Sequence, residues 1–312
     1  MTLAIERHYS AYKDELTNLY SFKKGFRFLD LTLGDGGHTE EALVAGCQVV
    51  SFDIDEESIS RASNFLKKVA TPLIIEDYQG FNDQIDSSIN WIIVKTNFIN
   101  AREAINKLNL QKFDGIMVDL GPSQYQVLSD ERGFSFNSES ELDMRLNKEL
   151  GVTAKDLINA LNEGELRDMF ELGDEPFGKV IARVIVAQRK IKPITTGKQL
   201  ADIISRVKHK VHSAIHPATQ VFMTLRMVVN LERENIKLLI PSLPDLLNKD
   251  GIAGIITFHS VEDRLVKDEI EDLEQKNIVS VINKKPIEPS IEELKISKRT
   301  RSAKLRLIKK LT

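Results

Sequence analysis

Three short apolar runs, each followed by a glycine-rich turn or a carboxylate, constrain the fold of this chain most strongly. The first run leads into Gly34, Gly36 and Gly37, the second ends in Asp53, and the third ends in Asp119. Parallel strands deliver polar groups of this kind to a ligand at their carboxyl ends. The order of these groups predicts a doubly wound α/β sheet that binds a cofactor containing adenosine.

Composition limits the class of protein. The chain has 312 residues, of which 42% are hydrophobic and 29% charged, as in a soluble globular protein. The formal charge of -3 gives no overall basic field for nucleic acid. Cys47 is the single cysteine, which excludes an intramolecular disulfide and a cysteine-based metal cluster. Without an apolar signal segment or a run long enough to span a membrane, we expect a cytoplasmic protein and no membrane partner.

The alternation of strands and helices predicts two domains. Strand and helix patterns alternate up to residue 128, stop over 129–213, where the pattern is mostly helical, and resume over 214–312. We therefore expect an α/β core made of 1–128 and 214–312. The segment 129–213 is expected to be an inserted helical domain that recognises the substrate.

Three segments near the margins of the core carry their own predictions. The β-like runs 278–282 and 303–308 should pair antiparallel at the edge of the sheet. The polar stretch 73–89 has no clear period and reads as an insertion or an elongated connection. Asn248–Gly251 has the composition of a strong turn before the strand that follows.

The glycine turn and Asp53 suggest a cofactor site. Glycine lets the backbone approach a ligand and adopt positive φ, and the following helix begins with unpaired N–H groups. An acid about 20 residues further on, such as Asp53, can accept two hydrogen bonds from a ribose diol. The alternatives are that the turn is only a tight connection and that Asp53 or Asp55 merely caps the next helix.

Asp119 separates two cofactor classes. Dehydrogenases have no standing need for an acid after the middle strand, whereas methyltransferases acting on amino groups do. The lone pair of an exocyclic amine is delocalised into its ring, and a carboxylate that binds the amine hydrogens frees that lone pair for attack on a sulfonium methyl group. In the alternative reading, Asp119 only caps the segment that follows its strand.

Long and specific motifs give the chain a family resemblance. It resembles the bacterial 16S rRNA cytosine-N4 methyltransferase family, RsmH, also called MraW, nearly from end to end. The matching strings are DLTLGDGGHT, FDID, FDGIMVDLGPSQYQ, ERGFSF with ELDMRL, IARVIVAQRKIKPITTGKQLADII, HPATQVFMTLRMVVN, GIITFHSVEDRLVK, and KPIEPSIEEL with RTRSAKLRLIKK. This resemblance implies a Rossmann-like class I methyltransferase fold with an inserted helical domain.

The resemblance also implies an activity and a set of cofactor contacts. The expected reaction transfers a methyl group from S-adenosylmethionine to N4 of a cytidine in the decoding region of 16S rRNA in the small ribosomal subunit. Family members suggest a homodimer. The cofactor contacts of the family fall on Gly36, Gly37, His38, Asp53, Phe98, Asp119 and Gln126, and Gly34 belongs to the same turn. Phe98 would stack on adenine, although on composition alone it would be a core residue.

Departures from the family pattern keep two alternatives open. The family string DLGVSSPQ reads DLGPSQYQ here, with the proline moved to Pro122, and the proline of an N-terminal His-x-Pro-Val signature is lost after His8. The moved proline supports a non-catalytic ribosome-assembly factor that kept the fold. An NAD-dependent dehydrogenase is the other alternative, and it would not need Asp119.

Candidate substrate contacts lie in the helical segment and in the basic tail. Arg132, Asp143 and Arg145 come early in the helical segment, where Phe134 and Phe136 either face a base or dock the segment on the sheet. The tail from Lys295 to Lys310 has eight lysines and arginines and no acid, among them Arg301 and Lys304. A second basic cluster spans 183–210. Such runs neutralise phosphates, or are simply solvated faces.

Histidines provide the last candidates. His216 belongs to the HPAT string, and His259 ends a predicted strand beside the proposed site. His259 could act as a general base, but a cationic N4 product loses its proton readily, so a structural or substrate-contact role is favoured. His209, His212 and His216 have a spacing that could hold a metal, yet Pro217 breaks the helix there, and no metal is predicted.

Overall fold

The computed structural model describes residues 7, 9–13, 15–128, 132–209 and 215–312. The chain divides into two compact units, one ending at Gly121 and resuming at Glu234, the other running from Pro122 to Arg233. The second unit is longer at both ends than the predicted helical segment 129–213. The assignment of a substrate-recognition domain to that segment stays a prediction.

The first unit is built on one eight-stranded sheet. Its strands are β1 (Arg27–Asp30), β2 (Gln48–Asp53), β3 (Leu73–Ile75), β4 (Trp91–Lys95), β5 (Phe113–Asp119), β6 (Leu247–Thr257), β7 (Val279–Val281) and β8 (Lys304–Lys310). The order is β3-β4-β2-β1-β5-β6-β8-β7. Strands β1 to β6 pair in parallel, and β8 pairs antiparallel with β6 and β7. The predictions of a doubly wound sheet and of an antiparallel edge are therefore confirmed.

Helices flank the sheet and form the second unit. They are α1 (Leu16–Tyr20), α2 (Gly37–Val44), α3 (Glu56–Leu66), α4 (Ala101–Lys107), α5 (Gln124–Leu128), α6 (Ala154–Ala160), α7 (Glu163–Leu172), α8 (Gly178–Arg189), α9 (Gly197–Val207), α10 (Thr219–Val229), α11 (Glu232–Leu246), α12 (Ser260–Gln275) and α13 (Ile291–Ile296). In the part of the chain that the structure describes, no helix is both long and apolar enough to cross a membrane.

Helices cover both faces of the sheet. Successive strand residues point to opposite faces, so neighbouring residues pack in different cores. Phe28 packs with residues of α1, α2 and α3 on one face, while the adjacent Leu29 packs with residues of α4, α11 and α12 on the other. This alternation explains why the strands read as almost continuous apolar runs in the sequence.

A chain of buried polar side chains fixes the carboxyl end of β1 against α2. Trp91 donates its ring N–H to the Ser51 hydroxyl (3.1 Å), which lies 2.8 Å from the Thr39 hydroxyl, and Thr39 donates to Asp30 Oδ2 (2.7 Å). All four side chains are buried. Because each group in the chain is satisfied, burial does not leave it with an unmet hydrogen bond, and the end of β1 is held rigidly.

Two of the predicted irregular segments take part in the sheet. In the polar stretch 73–89, residues 73–75 form β3, an added edge strand parallel to β4, so only the remainder is a connection. The prediction that Asn248–Gly251 is a free turn was wrong, because this segment lies within β6 as an irregularity in the pairing with β5. Asn248 Nδ2 donates to Asp114 Oδ1 (2.6 Å), which holds the irregular segment against its neighbour.

The second unit has a helical core of its own. Buried residues of α6 to α10, including Ile158, Phe170 and Leu225, form a single apolar cluster. Capping boxes begin α6 at Thr153 and α7 at Asn162, which satisfies the unpaired N–H groups of both helices.

Candidate active site

The glycine turn after β1 has a conformation that only glycine adopts easily. Gly34 and Gly36 have φ of +51° and +76°, and Gly36 is the N-cap of α2. A Cβ on Gly36 would lie 3.1 Å from Leu66 Cδ1, and one on Gly37 would lie 2.1 Å from Ser10 Oγ. Close packing against Leu66 and Ser10 therefore requires glycine at positions 36 and 37, whereas a Cβ on half-buried Gly34 would meet only Thr32 O, at 4.0 Å.

Asp53 is oriented by the backbone around it. Its Oδ2 accepts a hydrogen bond from Gly34 N (2.9 Å), and its Oδ1 accepts one from Asp55 N (2.9 Å). Burial raises the pKa of Asp53 to about 7, against the lowering effect of these two bonds. Each carboxylate oxygen accepts one described bond and has a second lone pair. Asp55 occupies the N-cap position of α3, where its side chain bonds the Ser58 hydroxyl.

Asp119 has a buried carboxylate oxygen without a partner. Its backbone N–H donates to Thr32 Oγ1 (2.7 Å), which ties the end of β5 to the end of β1. Its Oδ1 has no hydrogen-bond partner among the residues that the structure describes. Burial raises the pKa of Asp119 to about 7; nearby His38 opposes this rise, and Asp30 adds to it. A buried polar atom left unsatisfied is costly, so this geometry suits a ligand that donates a hydrogen bond.

A second buried carboxylate, Glu293, contributes to the same electrostatic environment. Its Oε1 accepts a bond from Tyr12 N (3.0 Å), and its Oε2 has no hydrogen-bond partner in the described chain. Burial raises the pKa of Glu293, whereas the hydrogen bond from Tyr12 lowers it. Sequence reasoning missed this residue, although it lies in the matched string KPIEPSIEEL, because nothing local shows that α13 returns to the N-terminal segment.

His38 lies beside these acids and is buried. Its Nε2 is 2.8 Å from the carbonyl oxygen of Ala11, and it influences the pKa of Asp30, Asp119 and Glu293. This histidine therefore links α2 to the N-terminal segment while it moderates the charge of the three carboxyl groups. A direct contact with a cofactor stays a prediction.

An ion pair on the outer side of the glycine turn was also missed. Arg61 on α3 contacts both carboxylate oxygens of Asp35, at 2.6 Å and 2.5 Å. Arg7 donates to the backbone oxygen of Asp35 (3.1 Å) and to Glu40 (2.6 Å). Asp35 stands between the glycines of GDGG, and no local pattern indicates that it pairs with a residue 26 positions later.

Phe98 and Gln126 are the remaining predicted cofactor contacts. Phe98 begins a short 3₁₀ helix after β4, is half-buried, and packs at the margin of the sheet core. This position is compatible with both readings of that residue. Gln126 is buried in the second unit, where its Oε1 accepts a bond from Ser123 N (2.8 Å).

The predicted substrate residues of the second unit have mostly local contacts. Arg145 pairs with Asp143 through two bonds of 2.7 Å and 2.9 Å, and it also donates to the backbone oxygens of Lys148 and Leu150. Burial raises the pKa of Asp143, but the bonds from Arg145 outweigh it and lower the pKa overall. Arg132 is buried. These contacts stabilise the loop before α6.

The aromatic residues of the same region divide between two environments. Phe134 is buried in the helical core of the second unit, which neither of the two readings predicted, whereas Phe136 is only half-buried and stacks on His216. His216 is exposed. Residues 210–214, with Lys210 and His212, lie outside the described residues, as does His8.

His259 and the basic tail lie in the first unit. His259 is the N-cap of α12; its Nδ1 accepts from Glu262 N (3.3 Å), and its Nε2 lies 2.8 Å from Glu262 Oε1. This use of both ring nitrogens favours the structural reading. Lys304 pairs with Asp263 at 3.2 Å, and Arg301 is exposed in a 3₁₀ helix.

The structure thus brings together part of the predicted site. Within the first unit, the glycine turn contacts Asp53, and Asp119 lies in the electrostatic range of His38. Residues of the basic cluster 183–210 differ in their exposure. Lys208 is buried against Glu175 (2.9 Å), whereas Arg183 is exposed.

Comparison with known proteins identifies the family. Residues 6–311 match the family model described as the MraW methylase family. The chain belongs to this family. A ribosomal RNA small subunit methyltransferase H from Clostridium botulinum (strain Loch Maree) is 36% identical over 325 residues, covering 98% of this chain and 99% of the relative. Its counterpart from Pseudothermotoga lettingae is 35% identical over 300 residues, covering 94% and 95%.

Family membership agrees with the architecture. The predictions of a Rossmann-like class I methyltransferase fold and of S-adenosylmethionine as the cofactor are confirmed. Among solved structures, an rRNA methylase from Streptococcus thermophilus superposes with a TM-score of 0.44 at 10% identity, covering 99% of this chain and 100% of that one. The dehydrogenase alternative has no support in this family.

Proposed function

We propose that this chain methylates small-subunit ribosomal RNA, and that its target is N4 of a cytidine in the decoding region of 16S rRNA. The observation that carries the proposal is the buried Oδ1 of Asp119 at the carboxyl end of β5, which has no hydrogen-bond partner among the described residues. The names of the relatives support the RNA class. The cytidine N4 target is what the family resemblance implies, and a carboxylate oxygen without a described partner suits the N–H of an exocyclic amine.

The residues at the carboxyl edge of the sheet fit the cofactor. When bound, S-adenosylmethionine supplies a methyl group on a sulfonium, which leaves as a neutral thioether. Gly34 offers close approach, Gly36 and Gly37 shape the turn that carries it, and Asp53 has lone pairs left for the ribose hydroxyls. Phe98 is assigned to the adenine ring. His38 and Gln126 complete the proposed cofactor set.

Asp119 is assigned to the reacting amine. Its carboxylate accepts a hydrogen bond from N4–H, which turns the nitrogen lone pair toward the methyl carbon. With bound S-adenosylmethionine supplying the methyl group, N4 would become a cationic amine that releases a proton to water. Positioning accounts for much of the rate, because the leaving group is already good.

RNA recognition is assigned to the second unit and to the basic tail. A base in a duplex is inaccessible, so the target cytidine must be unpaired or extruded. Substrate contacts are proposed at Arg132, Asp143, Arg145, His216, His259, Arg301 and Lys304. Of these, exposed Arg301 is suited to a phosphate, while Asp143, Arg145 and His259 support the surface from within. A homodimer and a cytoplasmic location remain predictions.

The test is to map methylated nucleosides in 16S rRNA by mass spectrometry. Cells that lack the protein should lose one N4-methyl mark on a decoding-region cytidine, and the wild-type chain should restore it. The Asp119→Asn variant should not. An unchanged methylation map would contradict the proposal. Purified chain that binds small subunits but transfers no methyl group would instead favour the non-catalytic assembly factor.

A further inference from the structure

Three aromatic rings in the second unit form a short ladder that ends at the surface. Phe222 on α10 is buried and meets the Phe136 ring edge-on, with centroids 4.8 Å apart and an interplanar angle of 77°. The Phe136 ring lies almost parallel to His216, with centroids 4.4 Å apart and an angle of 11°. Phe136 is half-buried, and His216 is exposed.

Backbone hydrogen bonds hold His216 and the turn that carries Phe136. His216 Nδ1 accepts from Ala218 N (3.2 Å), and its backbone oxygen accepts from Thr219 N (3.0 Å), at the start of α10. On the side of Phe136, Ser138 O accepts from Lys198 N (3.0 Å), at the start of α9. The rings are thus fixed before any ligand arrives, which lowers the entropy cost of binding to them.

The histidine ring is set in a defined tautomer. Because Nδ1 accepts a hydrogen bond from a backbone N–H, the neutral ring carries its proton on Nε2. The outer ring is therefore a flat π surface with one donor at its margin. Proteins that bind single-stranded nucleic acid without sequence preference stack the bases on flat aromatic rings of this kind. Here the outer ring is itself supported by two further aromatic rings.

We propose that the Phe136–His216 pair is a stacking platform for an unpaired nucleobase of the RNA substrate, at a position other than the methylated base. The proposal rests on the proposed function and adds a binding contact to it. An ordinary packing role would bury the outermost ring, whereas here the ring at the end of the column is the exposed one. The platform contributes affinity for RNA and leaves the methyl-transfer step unchanged.

Binding to small ribosomal subunits from cells that lack the protein provides the test. The measurement is the dissociation constant at several salt concentrations, at pH 8.5, where an ordinary imidazole is neutral. His216→Ala should weaken binding about tenfold, as expected for the loss of one base stack. The slope of affinity against salt should not change, since a lost phosphate contact would reduce that slope by about one. His216→Phe should keep near wild-type affinity.

Matched controls separate the possible outcomes. His209→Ala removes another exposed histidine of the same unit and should leave binding unchanged. His216→Ala should raise KM for RNA with kcat and cofactor affinity unchanged. The proposed platform would be overturned if wild type and His216→Ala bound with equal affinity. It would also be overturned if a folded His216→Phe variant lost the affinity of wild type. Wild type that binds RNA but transfers no methyl group would contradict the proposed function alone, and wild type that binds no RNA would overturn both.

Discussion

Asp119 in the sheet unit and Asp143 in the helical unit are two aspartates with opposite surroundings. Asp119 has an oxygen without a partner in the described chain, and its pKa is raised to about 7. Asp143 has both oxygens bonded by Arg145, and its pKa is lowered. The surroundings of Asp119 disfavour its ionised form, whereas the surroundings of Asp143 stabilise the ionised form.

The difference separates binding chemistry from structural support. A buried charge without a partner reduces stability, so a fold retains one only where something else satisfies it. Asp143, by contrast, fixes Arg145 and through it the loop before α6. The same residue type therefore has an oxygen without a described partner at the end of β5, which suits a hydrogen-bond donor, and supports a loop in the second unit.

The largest expected effect comes from replacing each aspartate by its amide. Asp119→Asn should lower kcat/KM for methyl transfer by about 10² to 10⁴, the range for loss of a catalytic carboxyl group, while the protein is no less stable than wild type at pH 8. Asp143→Asn should instead lower the free energy of unfolding by about 2 kcal/mol. Single-turnover kinetics and chemical denaturation measure the two effects. If Asp119→Asn kept full activity, the assignment of Asp119 to the reaction would be contradicted.

A buried ion pair in the helical unit tests whether paired carboxylates stabilise that unit. Lys208 and Glu175 are both buried and 2.9 Å apart. Lys208→Met leaves Glu175 as an unpaired buried charge and should cost about 3–5 kcal/mol of stability. Lys198→Met, which breaks an exposed pair with Glu139, should cost less than about 1 kcal/mol. Similar melting temperatures for the two variants would show that paired carboxylates do not hold this unit together.

The positions of the cofactor groups could be predicted because they depend on local signals. Apolar runs mark the strands, and the residues that end them must lie at one edge of a parallel sheet, so Gly36, Asp53 and Asp119 followed from sequence. The antiparallel edge followed from the β-like composition of the runs 278–282 and 303–308.

Contacts between distant segments could not be predicted in this way. Glu293 meets Tyr12 across 281 residues, and no local pattern records that α13 returns to the N-terminal segment. Asn248–Gly251 has turn composition, and the sequence did not show that it would lie within β6, unpaired with β5 between Leu247 and Ile252. The bonding of Arg145 to Asp143, two residues away, was also missed, because a charged pair in a loop gives no sign of whether it faces RNA or its own backbone.

The pH dependence of stability should reveal Asp119 directly. A carboxyl group whose pKa is raised on folding binds more protons in the native state, so its contribution to stability is present below about pH 4 and is lost as pH rises toward 7. Asp119→Asn removes this loss. Its free energy of unfolding, relative to wild type, should therefore increase by about 2 kcal/mol between pH 4 and pH 8. Parallel curves of stability against pH would mean that Asp119 ionises normally.

The smallest effect concerns a paired carboxylate inside the sheet unit. If pairing, rather than the unit, decides the role, then Asp35 and Arg61 support the glycine turn and do not react. Arg61→Met should weaken binding of S-adenosylmethionine about tenfold, because the turn is less well positioned, with kcat at saturating cofactor unchanged. Arg102→Met, which breaks an exposed pair with Asp245, is the matched control and should have no effect in calorimetry. A fall in kcat with unchanged affinity would instead place this pair in the reaction, and pairing would then no longer distinguish support from chemistry.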